Sequence, residues 1–261
     1  MTLWSAALLG VLQGLTEFLP VSSSGHLALA QMLLPGFHQP GVVFDAMLHV
    51  GTAAAVVWFE RGHIAEWVGD RNGLRILGLV AAGTVATAAV ALPLRQFAVD
   101  AFVRPLWVGV ALLLTGVVVA STLRFPGGPS DEDRMTWRQA LMVGLAQGLA
   151  IFPGLSRSGV TIAAGLAGGM DRSWCARFSF LLAVPAVLMV AVFELVGVWQ
   201  TPFKAPNGFG LACVIGASTA AVTGYFALKL VIKTVSSRVF HRFAWYCIPL
   251  GLVVLVWGWL R

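Results

Sequence analysis

The chain has 261 residues, 58% of them hydrophobic and 11% charged, with a mean hydropathy of +0.85. Soluble domains are close to half apolar and a quarter charged, so this balance excludes an ordinary soluble enzyme and indicates a polytopic membrane protein. The net charge of +6 does not redirect that reading: the cations are scattered over loops, with no basic stripe and no nucleic-acid fold signature, which excludes nucleic acid as a partner.

In chain order, the first apolar stretch covers about 3–34 and is broken by QGLTEFLPVSSSGH at 13–26. Pro and Gly among serines make it a re-entrant hairpin rather than a crossing helix. The first Lys or Arg is Arg61, so the N-terminus lacks the positive region of a cleavable signal peptide and is expected in the mature protein. Spans follow near 43–60, 74–93 and 105–123, each close to the ~20 residues that cross a hydrocarbon core. The segment RFPGGPSDEDRMTWR at 124–138 is the one long polar loop, a solvated linker. A second broken stretch, 139–170, reads as another re-entrant hairpin, and spans near 178–198, 209–232 and 243–260 complete the chain.

Glu60 and Glu194 sit at span ends and are expected at the membrane interface. Trp58, Trp67, Trp107, Trp199, Trp245, Trp257 and Trp259 fit aromatic belts. Cys175, Cys213 and Cys247 show no CxxC spacing, so they are expected as lipid-facing or packed thiols rather than disulfide or zinc ligands.

An offset of 134 positions aligns Gln13-Gly14-Leu15 with Gln147-Gly148-Leu149, Phe18 with Phe152, Ser22 with Ser156 and Ser24-Gly25 with Ser158-Gly159. The chain thus reads as two repeats, 1–123 and 139–261, joined by the linker. Each repeat holds one hairpin and three spans. Because three is odd, the second enters the membrane inverted relative to the first. Inverted repeats place binding sites at the midplane, where interrupted segments meet. Twelve loop cations fall on the linker's face and four on the other, which assigns the linker to the cytoplasm and both termini to the external side. The first hairpin then dips in from outside and the second from the cytoplasm.

Ionisable side chains at membrane depth are costly, so Glu17, His26 and Arg157 stand out as functional. Around them lie Ser22, Ser23 and Ser24 in one hairpin and Ser156, Ser158 and Thr161 in the other. Hydroxyls, a guanidinium and helix-start N–H groups form an oxyanion cradle that suits a phosphate, here a lipid phosphate whose tail stays among the apolar helices. Serines and glycines in such segments also serve close helix packing, and His26 alone would serve as a carbonyl-bonded structural histidine. Two such stretches in register, each with an ionisable residue, favour the ligand site. Asp45 and His49, four apart at the start of the first span, either pair at the interface or help line that site.

These residues resemble a known family. QGLTEFLPVSSSGH is similar to the (E/Q)xxxE-PxSSxGH region of the bacterial undecaprenyl-diphosphate phosphatases, the bacitracin-resistance family. PGLSRSGVT at 153–161 is similar to their PGxSRSGxT motif, and FDAMLHVGT at 44–52 and FSFLLAVP at 178–185 also resemble family segments. The likeness implies an integral enzyme of the bacterial plasma membrane that removes the terminal phosphate of a C55 polyprenyl diphosphate and regenerates the carrier for cell-wall building. It implies Glu17, Ser23, His26 and Arg157 as catalytic, with Ser156 and Thr161 as motif hydroxyls. It also implies a divalent cation, Mg or Ca, held by Glu17 and by Gln13, which stands where many members have glutamate.

The residue types leave the roles open. Glu17 serves either as metal ligand or as general base; His26 could deprotonate Ser23, act as general acid, or itself attack phosphorus. Ser23 as nucleophile, assisted by His26 and Glu17, with Gln13, Ser22, Ser24, Ser156, Ser158 and Thr161 around the substrate, is the favoured arrangement. The site would open to the external side, and a homodimer is compatible with it. The alternative is a flippase or transporter that binds a polyprenyl phosphate without hydrolysing it.

Overall fold

The computed structural model describes residues 2–33, 42–102, 104–200 and 207–260. Among these the chain is helical, with two short helices followed by three crossing segments of 20 residues or more, and then the same order again. The first set is α1 (Leu3–Phe18), α2 (Ser23–Leu33), α3 (Val42–Trp67), α4 (Arg71–Phe102) and α5 (Pro105–Ser121). The second is α6 (Trp137–Leu149), α7 (Arg157–Ala167), α8 (Arg172–Gln200), α9 (Phe209–Ser236) and α10 (Ala244–Trp259).

Local chemistry sets the helix ends. Thr2 caps α1 by accepting the Ser5 N–H at 3.1 Å, and Pro20 forces Leu19 into extended backbone, which stops the helix. A capping box, Thr136 with Gln139, opens α6. Among the described residues six helices are long and apolar enough to cross a membrane, as expected: Val43–Trp67, Arg71–Ala101, Pro105–Arg124, Arg172–Val192, Phe209–Ser236 and Phe240–Trp259. Several outrun the apolar windows of the sequence because a helix keeps its hydrogen bonds into the headgroup layer, where polar side chains are at no disadvantage. Their outer faces carry Leu74, Val85, Val117, Val222, Phe226 and Val253, all exposed, an apolar surface too extensive for water.

The short helices pack closely against long ones. α1 lies on α9, α6 on α4, α3 on both α8 and α9, and α5 on α10. A Cβ added at Gly14 would stand 2.5 Å from the Ala220 carbonyl, and one at Gly144 would stand 2.2 Å from the Gly83 carbonyl. Only glycine permits these crossings. The main apolar core gathers Phe18, Phe178, Phe180, Leu182 and Leu228 between these layers.

The polar loop at 124–138 is tied down by side chains from the helices. Arg172 donates to the carbonyls of Phe125, Pro126 and Val235, and Arg75 to those of Glu132 and Met135. The Trp67 indole N–H donates to Glu132 at 2.5 Å. Trp67 is therefore 6% exposed and stacks edge-on against Trp174 instead of joining an aromatic belt. Trp58, Trp107, Trp245 and Trp259 are exposed, as a belt requires.

Glu60 is also covered by protein. It is 1% exposed, pairs with Arg177 of α8 at 2.8 Å and has His63 at 3.1 Å; the arginine of a neighbouring helix supplies what water would have. The side chains of Glu194 and Trp199 lie outside the described residues. Cys175, Cys213 and Cys247 are free and buried, the packed alternative of the two expected.

Candidate active site

The tips of the two short-helix pairs meet. After α1, Pro20 and a left-handed Ser22 (φ 68°) turn the chain so that α2 starts at Ser23. A non-glycine residue holds this conformation only when its surroundings fix it. Here the Ser22 hydroxyl oxygen accepts the Gly154 N–H at 3.1 Å and lies 3.4 Å from the Ser24 hydroxyl. Gly154 is itself left-handed (φ 95°), and a Cβ there would stand 2.4 Å from the Val108 carbonyl. Thr115 of α5 stitches this second tip: its hydroxyl donates to the Gly154 carbonyl and accepts the Ser156 N–H, both at 2.9 Å.

Glu17, in the last turn of α1, is the centre of the site. Its Oε1 pairs with the guanidinium of Arg157, the first residue of α7. Its Oε2 accepts the Ser23 hydroxyl at 2.5 Å and the Gln13 amide N–H at 2.8 Å. A buried carboxylate is tolerable with this many charged and neutral donors around it. One amino group of Arg157, Nη1, is buried without a partner. A donor left so is costly, and an anion beside it removes that cost.

Gln13 is 0% exposed, and its Nε2 lies 3.0 Å from Nδ1 of His49 on α3 as well as near Glu17. An amide turned the other way would set its oxygen 2.8 Å from a carboxylate oxygen, so the nitrogen faces Glu17 and His49 Nδ1 accepts. That places the imidazole proton of neutral His49 on Nε2. It also leaves Gln13 Oε1 buried with no partner. His49 Nδ1 is 3.6 Å from Glu17 Oε1, so the imidazole lies against this cluster.

His26 has partners outside this cluster. Its Nδ1 is 2.8 Å from the Ser22 carbonyl and its Nε2 2.7 Å from the hydroxyl of Tyr246 on α10. The second-tip hydroxyls turn inward. Ser156 caps α7 through the Gly159 N–H at 3.2 Å, Ser158 donates to the Leu19 carbonyl at 3.2 Å, and Thr161 meets the Ser179 hydroxyl at 2.5 Å. All three are buried, whereas Ser23, Ser24 and Arg157 are half-buried. Glu17, Ser23, Arg157 and Gln13 therefore form one contact cluster, and Ser22, Ser156, Ser158 and Thr161 hold the tips around it.

Thr115 and Tyr246 belong to this neighbourhood and were not among the sequence candidates. Thr115 gives no signal inside an apolar span. Tyr246 has a faint one: it is one of two tyrosines in a chain with 10 tryptophans and 16 phenylalanines, so its hydroxyl is a rare choice there.

This arrangement, one carboxylate sharing a hydroxyl and a guanidinium with spare donor capacity, fits the comparison with known proteins. Residues 6–253 match the family described as bacitracin resistance protein BacA. An undecaprenyl-diphosphatase of Desulfosudis oleivorans is 42% identical over 266 residues, 95% of each chain. Those of Carboxydothermus hydrogenoformans and Methanosphaera stadtmanae are 36% and 34% identical over 98% and 97% of this chain and 97% and 96% of their own. The similarity runs nearly end to end and includes both tips, and the chain belongs to the bacitracin resistance protein BacA family.

Proposed function

We propose that this protein is an integral membrane phosphatase that hydrolyses undecaprenyl diphosphate to the monophosphate and inorganic phosphate, recycling the lipid carrier for cell-wall synthesis. The observation that carries the chemistry is the Glu17 carboxylate with Ser23 on one oxygen and Arg157 on the other. As Ser23 Oγ bonds to the terminal phosphorus, its proton passes to Glu17, and the bond from that phosphorus to the bridging oxygen breaks, releasing the polyprenyl monophosphate. Water then attacks the phosphoserine and gives its proton to His26 Nε2, while Oγ leaves and recovers the proton from Glu17. Arg157 turns its fork toward the phosphoryl oxygens throughout.

Gln13 Oε1 and the Glu17 carboxylate are hard oxygens of the kind Mg and Ca take. They are too few to hold a dication alone, and they suffice to share one with diphosphate oxygens and water. Such an ion, when bound, would offset the negative charge of the two phosphates.

The membrane arrangement belongs to the same proposal: two inverted repeats, each a re-entrant hairpin with three spans, the 124–138 loop cytoplasmic, both termini external and the site open outward. It is supported by the loop charge bias and by the packing, since exchanging the two sets of five helices turns the α1–α9 contact into α6–α4 and leaves α3–α8 and α5–α10 unchanged. Phosphate release by the purified protein from a polyprenyl diphosphate, with and without chelator, tests the activity. Release that survives Ser23→Ala unchanged would overturn the chemistry, and a tag on the C-terminus reachable only from the cytoplasm would overturn the topology.

A further inference from the structure

His26 is held by partners from both ends of the sequence. The Ser22 carbonyl can only accept, so the 2.8 Å contact puts the proton of the neutral imidazole on Nδ1. Nε2 is then a lone pair, and the Tyr246 hydroxyl 2.7 Å away donates to it. This is the opposite tautomer to that of His49. The Tyr246 ring also lies nearly parallel to the imidazole, with 17° between planes and 5.7 Å between centroids.

Tyr246 is in the first turn of α10, and the next residue fastens that turn to the first hairpin: the Cys247 thiol donates to the Pro20 carbonyl at 3.1 Å. The tyrosine thus reaches His26 from a fixed base. It is also 49% exposed, so its ring can swing aside without opening the core. Ser23 and His26, three apart in the first turn of α2, project from one face of that helix.

We propose that Tyr246 is the positioning residue of His26: its hydroxyl and ring, with the Ser22 carbonyl, fix the tautomer and tilt of the imidazole and keep the lone pair on Nε2, one helical turn from Ser23. When substrate and water arrive, the Tyr246 hydroxyl gives up Nε2 to the attacking water. This inference rests on His26 being the proton acceptor of the second step. Phenylalanine at 246 would keep the stacking and lose the donor.

The test uses the full chain in detergent, carrying Tyr246→Phe, His26→Gln, or both, with a polyprenyl diphosphate as substrate. Tyr246→Phe is expected to lower kcat about tenfold, the size of one lost hydrogen bond, with KM nearly unchanged. His26→Gln is expected to lower kcat by about a hundredfold or more, and adding Tyr246→Phe to it to cost nothing further. Nitrogen NMR of labelled histidine should show the His26 Nε2 resonance moving in Tyr246→Phe with the proton still on Nδ1. Full activity of His26→Gln would overturn the role given to His26. A large loss in His26→Gln with none in Tyr246→Phe, or equal losses from Tyr246→Phe in both backgrounds, would overturn the role given to Tyr246 alone.

Discussion

The two tips are related by the offset of 134 positions, and they differ where the chemistry is. Gln13 and Gln147, Ser22 and Ser156, Ser24 and Ser158, Gly25 and Gly159 are the same residue in both. Glu17 faces Ile151, Ser23 faces Arg157, and His26 faces Val160 in that alignment. The shared residues do similar work on each side: the paired serine hydroxyls are 3.4 Å apart in the first tip and 3.2 Å in the second, and each first serine accepts a glycine N–H. Even the glutamines agree, each with a buried amide oxygen lacking a partner. The polar positions that the two tips share hold the turns in both. The positions that differ carry the carboxylate and hydroxyl on one side and the guanidinium on the other, and they meet at Glu17.

That comparison can be broken most severely at the positions that differ. Glu17→Gln removes the acceptor of the Ser23 proton and the partner of Arg157, and should lower phosphate release by a factor on the order of 10³. Near-normal turnover by that variant would mean that the difference between Glu17 and Ile151 has no catalytic content. Next is Arg157→Lys, which keeps the charge and loses the fork; a loss of about ten- to a hundredfold in kcat/KM is expected. A variant as active as the parent would reduce Arg157 to a point charge.

Smaller effects sharpen the distinction. Gln13→Glu places a second carboxylate beside Glu17 and should lower the Mg or Ca concentration for half-maximal release by roughly three- to tenfold. Slower turnover with the same ion requirement would instead favour Glu17 acting as base alone. At the shared positions the expectation reverses: Ser156→Ala should leave kcat within about threefold and lower the melting temperature by roughly 2–4 °C, as the loss of a helix cap costs about 1 kcal/mol. A collapse of kcat without loss of stability would show Ser156 at work on the substrate.

The same contrast explains how far the sequence could be read. Six apolar runs and two Pro-Gly breaks were enough for the helical order, because length and hydropathy alone dictate what crosses a bilayer. Glu17, His26 and Arg157 were visible as ionisable residues inside apolar stretches, and Ser23 through two serine-glycine stretches in register. His49 was half visible, since its distance from Gln13 is set by the packing of α3 rather than by spacing along the chain. The burial of Glu60 and Trp67 was hidden for the same reason: Arg177 and Glu132, their partners, are 117 and 65 residues away. Tyr246, 220 residues from His26, carried only the faint signal of being one of two tyrosines. Composition tells which residues need a partner, and the fold decides which partner they receive.

The central claim is that Ser23, activated by Glu17, takes up the phosphoryl group. It is tested most directly by acid-quenching the purified protein during turnover of a polyprenyl diphosphate labelled in its terminal phosphate, and locating the label by mass spectrometry. The account predicts a phosphorylated Ser23 in the parent, which accumulates in His26→Gln and is absent from Ser23→Ala and Glu17→Gln. Label on His26, or full phosphate release by Ser23→Ala, would contradict it.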